Sequence, residues 1–321
     1  MLVFTFGPSD LANIRFAISP LMELHRSVRA LDDPGAQAIH LPWIAAARES
    51  TRGLDLDLLR ALQPRGVYSP DFIHPPPRSP LTELEEELAE MLATDPEEIS
   101  CEVDFIYQRT GSPEVLKPFL EEPGAAIARL AEVIRDYWAR ALEPHWEKLR
   151  GLLRGDVLYR GRRLADGGAR LLFADLHPEA RFEEGELRIE KPWETTRTLE
   201  GSGLLLVPSA FTWPVISAIT ERPWQPTLIY PARGVGLLWE PGETAAPAAL
   251  RALLGRRRAS VLAALDAPRP TAEIAQRLGL SAPSVSQHLG VLKAAGLVHA
   301  NRVGRLVLYA RTERGDGLLG A

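Results

Sequence analysis

Between Ser281 and Arg305 the chain sets out hydroxyls, two carboxamides, two imidazoles and three cations. These are groups that hydrogen-bond the edges of planar heterocycles and the oxygens of phosphates. Ser281, Ala282, Ser284, Ser286, Gln287 and His288 point away from Val285, Leu289 and Leu292 if the segment is helical. Gln287 carries donor and acceptor on one planar group and can pair bidentately with adenine. Ser284 and Ser286 can bond a base edge or a phosphate, and Ala282 can touch a thymine methyl. Ser281 reads first as a helix cap and second as a base contact. Lys293, Arg302 and Arg305 are the phosphate candidates. Arg256–Arg258 either join them or pair with acidic parts of the chain. The plain alternative for all of these is a polar face turned to water.

Such groups act only if rigid elements hold them. Arg256–Asp266 reads as a helix with Val261, Leu262 and Leu265 inward, stopped by Pro268-Arg-Pro270. Thr271 is placed to cap a short helix to Leu278, with Ile274 and Ala275 inward, and Ser281 to cap a third over Ala282–Ala295. Ala275 must be small where the third helix crosses. Gly279 stands where the tight turn wants a positive φ, and Val285 fills the gap between the helices. Strands near Leu297–Asn301 and Leu306–Ala310, turning through Arg302-Val303-Gly304-Arg305, complete a hairpin with two arginines at its tip.

LGRRRASVLAAL (254–265), TAEIAQRLGLSAPSVSQHLGVLKAAGLV (271–298) and NRVGRLVLYA (301–310) together resemble the ArsR-type winged-helix transcriptional regulators over about 60 residues. FGPSDLANIRFAISPL (6–21), HLPW (40–43), LLFADLHP (171–178) and LLLVPSAFTWP (204–214) resemble an uncharacterised domain fused to such a module in some large bacterial regulators. The resemblance implies a dimeric regulator, most simply a repressor, bound to double-stranded operator DNA. It supplies no ligand. The chain departs from the family twice. It lacks the cysteines that thiolate-sensing members carry on the helix corresponding to Thr271–Leu278. It also ends in Thr312-Glu-Arg-Gly-Asp-Gly-Leu-Leu-Gly-Ala321, which reads as too short and glycine-rich for a strong closing helix.

The rest of the chain reads as mainly helical. Ser9 or Asp10 is placed to cap a helix through Ile14, Phe16, Leu21, Leu24 and Val28, bent near Pro20. Short helices follow at Pro42–Glu49 and Leu54–Leu62. Leu81–Leu92 is an acidic amphipathic helix whose glutamates read as a solvated face. Gly124 to about Leu153 is a long helical region with Trp138 and Trp146 in its buried stripe. Beyond Pro178 short strands are predicted at Glu186–Ile189, Thr195–Leu199, Leu204–Val207 and Thr227–Tyr230, and Pro241–Pro247 reads as a linker. The expected fold class is therefore α+β. An N-terminal domain, residues 1–245, expected to regulate and to supply part of any dimer interface, is helical over 1–178 and β-rich over 179–245, and a winged helix-turn-helix DNA-binding domain occupies 246–321.

Charge follows the same division. The formal net charge of −5 combines +7 from Ala246 to Ala321 with −12 from Met1 to Ala245, an asymmetry that suits an anionic partner for the basic end. Cys101 is the only cysteine, which excludes an intrachain disulfide and a multi-thiolate metal site. His25, His40, His74, His145 and His177 show no metal-ligand spacing, so no metal or cofactor is expected. No nucleophile elbow, phosphate loop or dinucleotide fingerprint is present, so an enzyme is not expected either. With no signal peptide and no apolar run long enough to span a membrane, a cytoplasmic protein is the expectation. Two readings stay open beside the regulator: an enzyme, or a protein-interaction module, carrying a winged-helix appendage. Phe211, Trp213, Trp224, Tyr230 and Trp239 either line a small-molecule effector pocket or pack a β-layer.

Overall fold

The computed structural model describes residues 1–64, 66, 68–111, 113–239, 248–265, 268–303 and 306–319. They form two compact units, Met1–Leu238 and Trp239–Ala321, and the whole is an α+β fold. The proposed linker Pro241–Pro247 lies outside the described residues.

The first unit runs β1 (Leu2–Thr5), α1 (Pro8–Ala12), β2 (Arg15–Phe16), α2 (Pro20–Asp32), α3 (Leu41–Ser50), α4 (Asp57–Ala61), α5 (Leu84–Leu92), α6 (Pro96–Arg109), α7 (Lys117–Glu121), α8 (Pro123–Tyr137) and α9 (Glu143–Phe173). It closes with β3 (Ala180–Glu183), β4 (Glu186–Ile189), β5 (Thr195–Thr198), β6 (Leu205–Ser209), β7 (Ser217–Ile219) and β8 (Thr227–Pro231). Two four-stranded sheets result, ordered β3-β4-β1-β5 and β2-β6-β8-β7. In the second sheet β2, β6 and β8 run parallel, and β6 is buried along its whole length. Leu206 faces the core with Phe4, Phe173 and Leu228, while Leu205 and Val207 face Met22 and Ile229. Both faces of the strand are apolar because both are covered.

The single helix expected from Ser9 through Val28 is instead three elements. Pro20 cannot continue a helix from its amino side, and it stands in the first turn of α2, where Ser19 Oγ accepts the Met22 N–H at 3.0 Å. Ile14 and Phe16 lie outside any helix, and Arg15–Phe16 pairs with Leu205–Leu206. Asp10 is buried and, as the third residue of α1, completes a capping box with Gly7, although the helix it helps to start ends at Ala12. Its carboxylate accepts the N–H of Gly7 at 2.8 Å and of Gly203 at 3.0 Å. Gly201-Ser-Gly203 forms the turn before β6, with φ of +86° and +69° at its two glycines.

The long helical region extends past Leu153 to Phe173 and is interrupted twice. A π-helical turn occupies Trp138–Leu142, just ahead of Pro144, whose ring removes a backbone donor. The Ala141 carbonyl there accepts the Trp43 indole N–H at 2.9 Å, and Trp138 and Trp146 meet edge to face at 5.0 Å in the core. Gly167 and Gly168 break the helical backbone further on. α5 carries Leu84, Leu88 and Met91 inward, but its acidic face is not uniformly solvated. Glu87 is 2% exposed and accepts the Leu21 N–H at 2.7 Å, because α5 packs against α2.

Burial also displaces titrations in this unit. It raises Glu23 to about 7 and Glu87 to about 8, and raises both Asp71 and Glu102, with the Glu102 charge adding to the effect on Asp71. It lowers His25 to about 3, His40 to about 4 and His74 well below the usual histidine range. The unfolded carboxyls ionise near 4, so above that the folded chain binds more protons and loses stability as pH rises toward 8. The histidines act oppositely. Unfolded they protonate below 6.5 and folded they do not, so stability falls as pH drops from there. The raised carboxyls outnumber the lowered histidines, so the expected result is a thermal midpoint for this unit that falls as pH rises from about 6 to about 8, with the histidines opposing that trend only below about 6.5. A calorimetric pH series in which stability rose from about pH 6 to 8 would contradict it.

The second unit runs α10 (Ala248–Leu254), α11 (Arg256–Ala263), β9 (Arg269–Pro270), α12 (Thr271–Arg277), α13 (Ala282–Ala294), β10 (Val298–Val303), β11 (Leu306–Arg311) and α14 (Glu313–Leu319). Its core joins Val261, Leu262 and Leu265 to Ile274, Ala275, Val285, Leu289 and Leu292. α11 ends at Ala263, and Asp266 lies outside the described residues. The end expected to be too short and glycine-rich for a strong closing helix forms the seven-residue α14. Thr312 Oγ1 accepts the Gly315 N–H at 3.2 Å and donates to the Gly296 carbonyl at 2.8 Å. Gly315 lies so close to Leu297 that a Cβ would stand 2.3 Å from its carbonyl oxygen. The glycine that looked like a helix breaker is a close approach.

Candidate nucleic-acid interface

The turn between α12 and α13 has the geometry its residues require. Gly279 has φ of +61°, and the Leu280 N–H returns to the Ala275 carbonyl at 2.9 Å, closing α12 with a left-handed residue. Ser281 caps α13, its Oγ accepting the Ser284 N–H at 3.4 Å. Thr271 does not cap α12. It is the first helical residue, after Pro270, and Pro270 is drawn into β9 by pairing with Leu308. That pairing gives the hairpin a third strand, in the order β10-β11-β9.

Val285, Leu289 and Leu292 are buried on one face of α13. Ser281, Ala282, Ser286, Gln287 and Lys293 are exposed on the other, whereas Ser284 and His288 are half-buried. His288 Nε2 is enclosed within the fold, so His288 is less available than its helical position implied. Ala282–Ala294 contains no carboxylate. The lone acid of α12, Glu273, is ion-paired with Arg269. The outer face of α13 is therefore polar and, through Lys293, positive. Nothing on it opposes the approach of a polyanion.

Arg302 is exposed but belongs to β10, opposite Val307, and not to the turn. The strand pairing continues to Val303–Leu306, and Arg305 lies outside the described residues. Asn301, exposed beside Arg302, is a polar neighbour that the strand pattern concealed. Arg256, Arg257 and Arg258 are all exposed on α11.

Among the described residues, the aromatic side chains considered for an effector pocket have separate surroundings. Phe211 is buried against His40 and Trp43, at 4.5 and 4.6 Å between ring centroids. Tyr230 donates to Asp156 Oδ2 at 2.7 Å inside the core, Trp213 is 37% exposed, and Trp239 belongs to the other unit. Trp224 packs on the Met22 and Val207 side of β6. His25 and His74, far apart in sequence, are buried edge to face at 6.0 Å. Among the described residues no group of three histidine, cysteine, aspartate or glutamate side chains is placed to hold a metal ion, and no helix is long and apolar enough to cross a membrane.

Residues 256–299 match the family model of a helix-turn-helix domain, and residues 93–236 match that of a family of unknown function (DUF5937). No curated protein and no solved structure matches the chain. The first match spans α11 to the start of β10, the elements that present Ser286 and Gln287. A helix-turn-helix domain at this place supports a DNA-binding transcription regulator.

Proposed function

We propose that the chain is a sequence-specific regulator of the ArsR type, a cytoplasmic, non-enzymatic dimer that represses transcription by occupying operator DNA. The observation that carries this reading is the exposed, carboxylate-free face of α13, held on a closed apolar core and followed at once by a hairpin bearing Arg302. α13 enters the major groove with Ala282, Ser284, Ser286 and Gln287 toward base edges. Lys293, Arg302 and Arg305 meet phosphates, or in the case of the hairpin the minor groove.

A dimer places two such helices about one helical turn apart on a near-palindromic site. Leu253 on α10 is 72% exposed and Leu318 on α14 is 38% exposed, so each flanking helix offers apolar surface to a second copy beside what the N-terminal domain contributes. The N-terminal domain then controls the spacing of the two recognition helices, in response to a small-molecule effector.

Salt titration tests the phosphate contacts. Each phosphate neutralised contributes about −0.9 to the slope of log K against log salt. Lys293→Ala with Arg302→Ala should flatten that slope by about 2 per protomer, with little change in sequence preference. An unchanged slope would remove both residues from the interface.

A further inference from the structure

Trp224 stands at a cleft of its own. The loop Pro223-Trp-Gln225, which leads into β8, and the segment Pro75-Pro-Pro77, which leads toward α5, flank a cavity of about 400 Å³ that opens to solvent. The indole is half-buried. It packs against the apolar cluster that holds Met22 and Val207, and it also lines the cavity. Pyrrolidine rings and an indole give the cavity apolar ring walls, and proline brings no N–H that an occupant would have to satisfy.

The charges at the cavity do not cancel. Arg78 and Glu90 both line it and pair with each other. Arg15, the first residue of β2, lines it as well and is exposed, so the cavity reaches it directly. Among the described residues Arg15 has no carboxylate partner. Its guanidinium donates to the neutral Gln225 Oε1 at 2.7 Å, and Gln225 is in turn held by the Ser202 carbonyl, to which its Nε2 donates at 3.3 Å. A guanidinium carries five N–H donors, so a single amide oxygen leaves most of the fork unused. The lining is left with one uncompensated positive charge, on an accessible side chain.

We infer that this cavity binds a small planar aromatic carboxylate, its ring system between the proline rings and Trp224 and its carboxylate on Arg15. The guanidinium fork matches the two oxygens of a carboxylate. One uncompensated cation balances one negative charge, whereas a dianion such as a phosphate monoester would bring a second charge toward Glu90. Sites for small molecules combine apolar walls with a few polar groups that fix orientation, and this lining has that make-up. The inference names a class for the proposed small-molecule effector but rests on the first unit alone. Binding is read without DNA, so its failure and that of the regulator reading are separate results.

Ligand-detected NMR on the 321-residue chain, with 2-naphthoate as probe and 2-naphthamide, octanoate and 2-naphthyl phosphate as comparators, tests this. Saturable binding of 2-naphthoate is expected, tighter than that of any comparator. Arg15→Gln should weaken it about tenfold, the effect of one charge-assisted contact. Glu90→Gln should tighten it about two- to fivefold, by removing an opposing charge and releasing Arg78 from an exposed pair. That second variant decides the matter if Arg15→Gln does not fold. Arg129→Gln, which removes an exposed cation of α8 that does not line the cavity, should change nothing. No saturable binding of 2-naphthoate, equal binding of its amide, or equal losses from Arg15→Gln and Arg129→Gln would overturn the proposal. So would tighter binding of octanoate or of the phosphate, which would make the site one for aliphatic acids or for phosphate esters.

Discussion

Replacing Ser286 and Gln287 together by alanine should lower affinity for the preferred duplex about 10- to 100-fold and leave affinity for unrelated DNA almost unchanged. A good bidentate contact to a base discriminates by about 1 to 3 kcal/mol, and Gln287 is the residue on this face able to make one with adenine. Both side chains are exposed on α13, while Val285 and Leu289 beneath them hold the helix in place, so the double variant should melt with the parent protein. Phosphate contacts through Lys293 and Arg302 remain, which is why non-specific binding survives. Competition titrations with specific and random duplexes measure the ratio. An unchanged ratio would show that another face reads the bases.

The second large effect concerns stability. Gly203 has φ of +69°, and a Cβ there would stand 2.1 Å from the Asn13 carbonyl oxygen and 2.6 Å from its carbon. Its N–H also donates to the buried Asp10 carboxylate, which ties α1 to the entry of β6. Gly203→Ala therefore combines left-handed strain of about 1 to 2 kcal/mol with a backbone clash costing about 1 to 3 more. In a unit of this size that lowers the melting temperature by roughly 10 °C. Gly201→Ala is the control. Its φ is +86°, but nothing lies within 4 Å of the added carbon, so only the strain is felt. Equal losses from both variants would refute the close approach at Asn13.

The helix-turn-helix was legible because its constraints are local. Ala275, Gly279, Ser281 and Val285 each meet their requirement within a few residues of chain, and the structure places the small contact, the positive φ, the cap and the buried wedge at those four positions. The first unit was harder for the opposite reason. Arg15–Phe16 is a strand only because Leu205–Leu206 lies beside it, and Leu2–Thr5 only because Ile189 and Thr195 do. Pairings across some 190 residues leave no mark on local periodicity. α6 carried a readable signal in Asp95-Pro96, a cap followed by proline in the first turn, that sequence reading passed over. Glu87 is the sharpest miss. In a run of glutamates it looks like its neighbours, and only the packing of α5 on α2 separates the buried one from the solvated ones.

In the site itself, the exposed positions of α13 followed from the helical period, whereas Arg302 and His288 did not behave as the pattern implied. Arg302 is in a strand because the hairpin pairs two residues further than its turn signal suggested. His288 is half-buried because the hydrophobic stripe of α13 is wide enough to enclose one edge of the ring.

Selection of duplexes from a randomised pool by the purified 321-residue chain, repeated at low and high salt, tests the central claim most directly. The account predicts an enriched near-palindrome with half-sites about one helical turn apart and binding that falls steeply with salt. No enriched sequence, together with binding indifferent to salt, would contradict it.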